Sequence, residues 1–398
     1  MNPLTSVNTP VYLDYAASTP VDPQVAAEMA ACMTMDGIFG NPSSTSHEFG
    51  LKARSRVEAA RAQVASAVGA ESDEVIWTSG ATEANNLAIF GVAHYYRGRG
   101  MHIVTSRIEH KAVLDPCREL QRRGWRVTYL VPNRSGIVDP DQVAAAIDAG
   151  TVLVSIMHVN NEIGVIQDIA AIARLCARHG AWLHVDAAQS VGKITVDFKT
   201  LGVDLLSLSA HKVYGPKGVG ALCVSRQRGV QIEAQAFGGG QERGLRAGTL
   251  ATHQVVGMGA AFERALTLSA TEVPRIAGLQ ERLWRGLASL DGVLRNGSPH
   301  SCVPHLLNLS FEGVQGESLL AAVAPHIAVS AGSACTSTSQ EPSYVLRALG
   351  RDERLAESSL RFGLGRFSSE ADIDTALSAV TRAVVHLRRI GGECTTAI

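Results

Sequence analysis

From about residue 22 onward, short apolar runs alternate with stretches whose hydrophobic residues recur at helical spacing. Asp22 followed by Pro23 sets a capping carboxylate ahead of a proline at the first helical position, which predicts a helix running toward Met35. Residues 46–68 predict a longer amphipathic helix. The apolar runs at 75–77, 103–105, 127–130, 152–157, 183–185 and 205–208 read as short strands buried on both faces, with helical stretches between most of them. Strands alternating with helices predict a mostly parallel sheet covered on both sides, whose ligands bind beyond the carboxyl ends of the strands.

After a glycine-rich stretch near Gly238 and a helix through Met258 to Leu266, the pattern changes. A helix at 279–287, a strand at 306–311, a helix at 318–323, a strand at 360–362 and a long helix at 369–387 predict a second, smaller α/β unit. The reading is therefore an α/β protein: a large domain over 15–262, and a small domain formed by 1–14 and 263–398. No internal repeat or low-complexity tract interrupts it.

Composition narrows the partners. The 398 residues are 46 % hydrophobic and 18 % charged, enough apolar material for a large core. Lys and Arg number 36 against 37 Asp and Glu, so no overall field favours nucleic acid or an anionic membrane. No run reaches the roughly 18 apolar residues needed to span a bilayer. The first basic side chain is Lys52, so neither a secretory nor an Arg-rich targeting segment is expected, and the cytoplasm is the expected location. The seven cysteines (Cys32, Cys117, Cys176, Cys223, Cys302, Cys335 and Cys394) form no C-x-x-C pair, which argues against a zinc site or a disulfide framework. Cys335 stands apart, because it is surrounded by Gly332, Ser333, Ala334, Thr336 and Ser337, a setting that predicts an exposed, flexible loop and an accessible thiol.

The candidate chemistry gathers at strand ends. Lys212 closes the apolar run 205–208 and precedes a turn-rich segment, and a lysine held in an apolar cleft is able to form a Schiff base. Asp186 ends the preceding apolar strand, so parallel pairing brings it to the same sheet edge. Pyridoxal phosphate (PLP) needs such a carboxylate to keep its ring nitrogen protonated. The segment from Thr78 to Glu83 follows another strand and opens a helix, where unpaired N–H groups and the Thr82 hydroxyl suit a phosphate. His110 also follows a strand; alone, such a histidine is more often structural than catalytic. Arg361 is a charge inside an apolar strand, which implies a buried partner or a bound carboxylate.

Taken together with the segments 11–15, 34–37, 40–44, 157–164 and 341–347, these residues resemble the class V aminotransferase-fold cysteine desulfurases that serve iron–sulfur cluster assembly. The resemblance runs to Phe367. It implies the fold type I architecture of PLP enzymes, PLP as cofactor and L-cysteine as substrate. It also implies that Lys212 carries the cofactor, Asp186 pairs with the ring nitrogen, His110 stacks on the ring, and Gln189 and Asn161 lie near ring or substrate oxygens. Ala81, Thr82, Ser209 and His211 hold the phosphate, and Thr249 reaches the phosphate of a neighbouring subunit, so the expected assembly is a homodimer with composite sites. Arg361 takes the substrate carboxylate. Cys335 takes the sulfur as a persulfide, with alanine as the other product, and passes it to an acceptor such as an iron–sulfur scaffold. No resident metal is implied; a transient contact of Cys335 with a cluster is the one exception.

Two departures accompany the resemblance. Ala210 stands where glycine is expected, a change that matters only if the backbone there has positive φ. The end of the sequence after Ile390 is shorter than the aromatic tail with which relatives dock their scaffold, so weak scaffold binding is expected. Two rival readings stand beside it: a selenocysteine lyase or aminotransferase of the same fold, for which Cys335 is dispensable, and a non-catalytic sulfur-relay or scaffold-binding protein, which has no use for a buried lysine opposite a carboxylate.

Overall fold

The computed structural model describes residues 9–331 and 342–395, with side chains through Gly391. Cys335 and Cys394 therefore lie outside the described side chains. The chain enters through β1 (Val11–Tyr12), and the large unit is then built on seven strands: β2 (Val75–Thr78), β3 (His102–Ser106), β4 (Arg126–Leu130), β5 (Thr151–Ser155), β6 (Trp182–Asp186), β7 (Leu205–Ser209) and β8 (Gly220–Val224). Their order across the sheet is β2-β8-β7-β6-β5-β3-β4. All neighbours run parallel except β8, which is antiparallel to both β2 and β7.

Six of these strands fall where the apolar runs predict them, and β8 is the addition. Its sequence follows a run of glycines and turn residues that masked it. Gly220 begins β8 at a place where the backbone passes so close to Gly80 that an added Cβ would lie 2.6 Å from it. Only glycine fits there, and the close passage sets the loop after β2 against the ends of β7 and β8.

Within the sheet, His184 of β6 is held between Ser155 of β5 (2.8 Å) and Ser207 of β7 (2.9 Å). Burial pushes this imidazole down to about 4, so it stays neutral and acts as a cross-strand tie directly below Asp186.

Two predicted helices have different ends. Asp22 caps its helix as expected, its carboxylate accepting from the Gln24 N–H at 2.9 Å, but the helix covers Pro23–Ala30 and stops short of Met35. The chain doubles back at Gly37, where a Cβ would sit 2.3 Å from the Ala31 carbonyl oxygen. The two helices predicted around 258–266 and 279–287 are a single helix, Thr252–Ala288, of 37 residues, about 55 Å long. Its apolar face changes allegiance along its length. Val255, Met258, Phe262 and Ala265 pack into the core of the large sheet, whereas Ile276, Leu279, Leu283 and Leu287 pack into a second core. Residue 262 thus lies inside a continuous helix.

That second core covers an antiparallel sheet in which β9 (Val293–Arg295), β10 (Leu306–Phe311), β12 (Ser330–Ala331) and β13 (Ser359–Gly363) follow the order β12-β13-β10-β9. The helix Glu370–Thr395 closes it. β1 joins this unit by pairing in parallel with β11 (Ile327–Ala328), and a bridge from Asp14 to Gly363 continues the attachment. The consequence for function is positional: the segment 14–18 crosses from the small unit to the carboxyl ends of β6 and β7.

Candidate active site

At that edge lies a cleft of about 530 Å³. Its walls include Ala81, Thr82, His110, Asn161, Asp186, Gln189, Ser209, His211, Lys212 and Arg361, so these sequence candidates converge on one cleft from separate elements. Thr249 is exposed and lies outside these walls.

Asp186 ends β6 and is buried. One carboxylate oxygen accepts from the Ala188 N–H at 3.0 Å and the other from the Asn85 side chain at 2.7 Å. Two donors aim the carboxylate and keep its charge compensated without a cation. Asn85 was not anticipated; its only signal in the sequence is a polar residue beside Ala84, Leu87 and Ala88 on an otherwise apolar helix face.

Lys212 follows β7 in a single turn of 3-10 helix, Ala210–Lys212. Its ammonium donates to the carbonyls of Ala16 (2.7 Å) and Ala17 (2.6 Å), which places it beside the crossing segment. Ala210 is fully buried and is absent from the positive-φ residues, so alanine in place of glycine imposes no strain. The His211 imidazole is pushed down to about 4, first by burial and then by the cations Lys212, Lys217 and Lys193, and its Nδ1 lies 3.2 Å from the Ser18 hydroxyl.

His110 caps the helix Lys111–Arg122 through its own ring: Nδ1 accepts from the Ala112 N–H at 3.1 Å. Burial is the main reason its pKa is lowered. A neutral imidazole whose Nδ1 is an acceptor carries its proton on Nε2, so the cap fixes the tautomer. Its neighbour Glu109 is fully buried, accepts from the Ser106 hydroxyl (2.6 Å) and the Met157 N–H (3.1 Å), and is pushed up to about 8 by burial. Burial thus favours the protonated, neutral form of Glu109 at pH 7.

Arg361 comes from β13 of the small unit and is 3 % exposed. Nη1 donates to the Asn161 carbonyl at 3.0 Å, and Nη2 to Asp14 (2.8 Å) and Ser330 (3.1 Å). Of the two alternatives for a charge in an apolar strand, the structure shows the buried partner, Asp14; Nε is without a partner among the described residues.

The donor set fits PLP. The helix Ala81–Tyr96 begins at the loop after β2, with Ala81 and Thr82 presented to the cleft and Ser209 and His211 on the facing wall, a cradle suited to a phosphate. A compensated carboxylate, a lysine and a partly unpaired arginine complete the requirements of a bound pyridine ring and an amino-acid carboxylate.

The family model described as aminotransferase class-V matches residues 11–376. The chain belongs to that family. It is 58 % identical over 381 residues to "Cysteine desulfurase IscS" of Azotobacter vinelandii, covering 96 % of this chain and 94 % of that one. The Pseudomonas aeruginosa protein of the same name is equally similar, at 58 % over the same shares. Among solved structures, a "NIFS-LIKE PROTEIN" superposes with a TM-score of 0.88 at 34 % identity, over 95 % of this chain and all of that one. "SspA in complex with cysteine" superposes with a TM-score of 0.80 at 38 % identity, over 90 % and 100 %. Both support the mostly parallel fold type I architecture.

Proposed function

We propose that this chain is a PLP-dependent cysteine desulfurase of iron–sulfur cluster assembly, which converts L-cysteine to L-alanine and keeps the sulfur as a persulfide on Cys335. The observation that carries the reading is the convergence of Lys212, Asp186, His110 and Arg361 on one cleft, in a chain 58 % identical to named cysteine desulfurases.

PLP supplies the electron sink for charge developing on the substrate's α-carbon. Asp186, aimed by Asn85 and the Ala188 N–H, keeps the ring nitrogen protonated. Ala81, Thr82, Ser209 and His211 hold the phosphate, with Thr249 contributed by a second copy of the chain. Arg361 takes the substrate α-carboxylate, with Asn161 beside it, and Gln189 donates to the ring oxygen. The Lys212 amine takes the α-proton, and His110, with its proton on Nε2, stacks on the ring and returns a proton to the departing carbon skeleton. The Cys335 thiolate then attacks the substrate sulfur: an S–S bond forms, the Cβ–S bond breaks, and the carbon skeleton takes up a proton and leaves as alanine.

Sulfur acceptors, an iron–sulfur scaffold among them, form part of this proposal. So does the cytoplasm as its location; no helix among the described residues is long and apolar enough to cross a membrane. The test is peptide mapping by mass spectrometry after brief exposure to cysteine, with a second sample treated with borohydride. One extra sulfur on the peptide holding Cys335 and a reduced cofactor adduct on Lys212 are expected. A Cys335→Ala protein that forms alanine and persulfide at the wild-type rate would sink the assignment.

A further inference from the structure

Beneath the cleft lies a second lysine that the reaction does not use. Lys193 follows a turn after β6, in which Gly192 has φ +75° and the N–H groups of Lys193 and Ile194 both donate to the Ser190 carbonyl at 3.0 Å. The turn sends the side chain inward, where it is buried. Its amine borders a void of about 20 Å³ shared with Tyr15, Lys212, Tyr214 and His305, too small to hold more than one water. The only carboxylate on that void, Glu272, is engaged by Arg366 at 2.6 Å. The other charges acting on Lys193 are Lys212 and Arg361, both cations.

Among the described residues Lys193 therefore has no counter-ion, and its hydrogen-bond partner there is the side-chain oxygen of Gln189. At the other end of the same carboxamide, Nε2 donates to the Ala16 carbonyl at 2.8 Å. An amine always offers N–H donors and a carbonyl can only accept, so these two neighbours together fix which end of Gln189 is nitrogen and which is oxygen. The second N–H of Nε2 is left as the group Gln189 can present to the cleft it lines.

We propose that Lys193 is a positioning residue, which clamps the Gln189 oxygen and so commits that side chain to act as a donor toward the ring oxygen of PLP. Burial, followed by the charges of Lys212 and Arg361, pushes the Lys193 amine down to about 7, and in either protonation state it donates. Without Lys193 the Ala16 carbonyl alone would select the orientation, and a turned-over glutamine would set its oxygen against the ring oxygen, an acceptor against an acceptor. The clamp removes that state.

The inference rests on the reading that Gln189 faces the ring oxygen, and the experiment separates the two. Apo-proteins of wild type, Lys193→Met, Gln189→Leu and the double variant are titrated with PLP, recording affinity and the ratio of visible to near-ultraviolet absorbance of the bound cofactor from pH 6 to 9. Lys193→Met is expected to weaken PLP roughly three- to tenfold, as for one hydrogen bond, and to lower the visible fraction. In the Gln189→Leu background the same change should do nothing further. A folded Lys193→Met protein with wild-type affinity and spectrum overturns the proposal, and so does an equal loss in the Gln189→Leu background, which would mean that Lys193 acts by its own charge. Wild-type behaviour of Gln189→Leu alone would instead overturn the underlying reading of Gln189. Should Lys193→Met fail to fold, Gln189→Glu carries the test beside Gln189→Leu, since both lose the bond to the Ala16 carbonyl and only the glutamate can pair with Lys193: the Gln189→Glu apo-protein is expected to melt above Gln189→Leu while PLP affinity and the visible fraction fall. A melting temperature no higher than that of Gln189→Leu overturns the clamp.

Discussion

Replacing Arg361 by lysine tests the carboxylate site without removing its charge. The guanidinium makes three hydrogen bonds at once, to the Asn161 carbonyl, Asp14 and Ser330, and Nε has no partner among the described residues. A lysine ammonium has three N–H groups on one atom and cannot reproduce a planar fork that holds Asn161, Asp14 and Ser330 at once and still has an N–H to spare for the proposed substrate carboxylate. Asp14, the nearest carboxylate, would capture the ammonium, leaving the substrate carboxylate without its partner. A hydrogen bond to a charged group contributes about 1.5–3 kcal/mol, which converts to a loss of roughly 10- to 150-fold in kcat/KM for cysteine, carried mainly by KM. The assay is alanine formation from cysteine under a fixed reductant, set beside turnover of cysteamine, which has the same thiol and amine and no carboxylate. The variant should leave the cysteamine rate within about twofold, since that substrate never made the contact. An equal loss with both substrates, or none with cysteine, would refute the placement of the α-carboxylate on Arg361.

Glu242→Gln should cost about 3 kcal/mol, the lower end for breaking a buried ion pair, because Arg61 donates to both Glu242 oxygens (2.8 and 2.9 Å) but keeps the Glu58 carboxylate at its exposed side. Denaturant unfolding should show this loss, and an Arg61→Met/Glu242→Gln double variant should recover part of it; no recovery would mean that the pair is not the cause. Glu109→Gln should leave turnover near wild type at pH 7, because the acid it replaces is already neutral there. The folded protein holds the Glu109 proton up to about 8 against an ordinary value of 4.5, so between those values it binds more protons than the unfolded chain, and wild-type stability falls as pH rises. The glutamine variant should gain on wild type by up to about 1.4 kcal/mol per pH unit across that window, and parallel stability profiles would show that Glu109 ionises freely.

Much of this site was legible because its residues stand at the ends of apolar strands, where parallel pairing leaves only one edge for a charge to occupy. Asp186, Lys212 and His110 are readable for that reason, and Arg361 because a charge inside an apolar run has few explanations. What stayed hidden depends on contacts between distant segments. Asn85 acts only because the helix Ala81–Tyr96 crosses under β6, and Ala16 acts through its carbonyl, which any residue would supply. The unbroken helix Thr252–Ala288 was hidden by a shift of its apolar face from one core to the other, which reads in sequence as an ending. Lys193 shows the same limit most sharply. In sequence it is one of six lysines, set in a turn, and nothing local says that it is buried. Its meaning comes from three chain segments meeting: the turn after β6 brings Lys193 and Gln189 together four residues apart, the segment 14–18 supplies the Ala16 acceptor, and the carboxylate that could have neutralised the lysine is spent on Arg366. A buried amine with no counter-ion among the described residues is costly to keep, and the proposed clamp gives that cost a use by restricting a neighbour to one orientation.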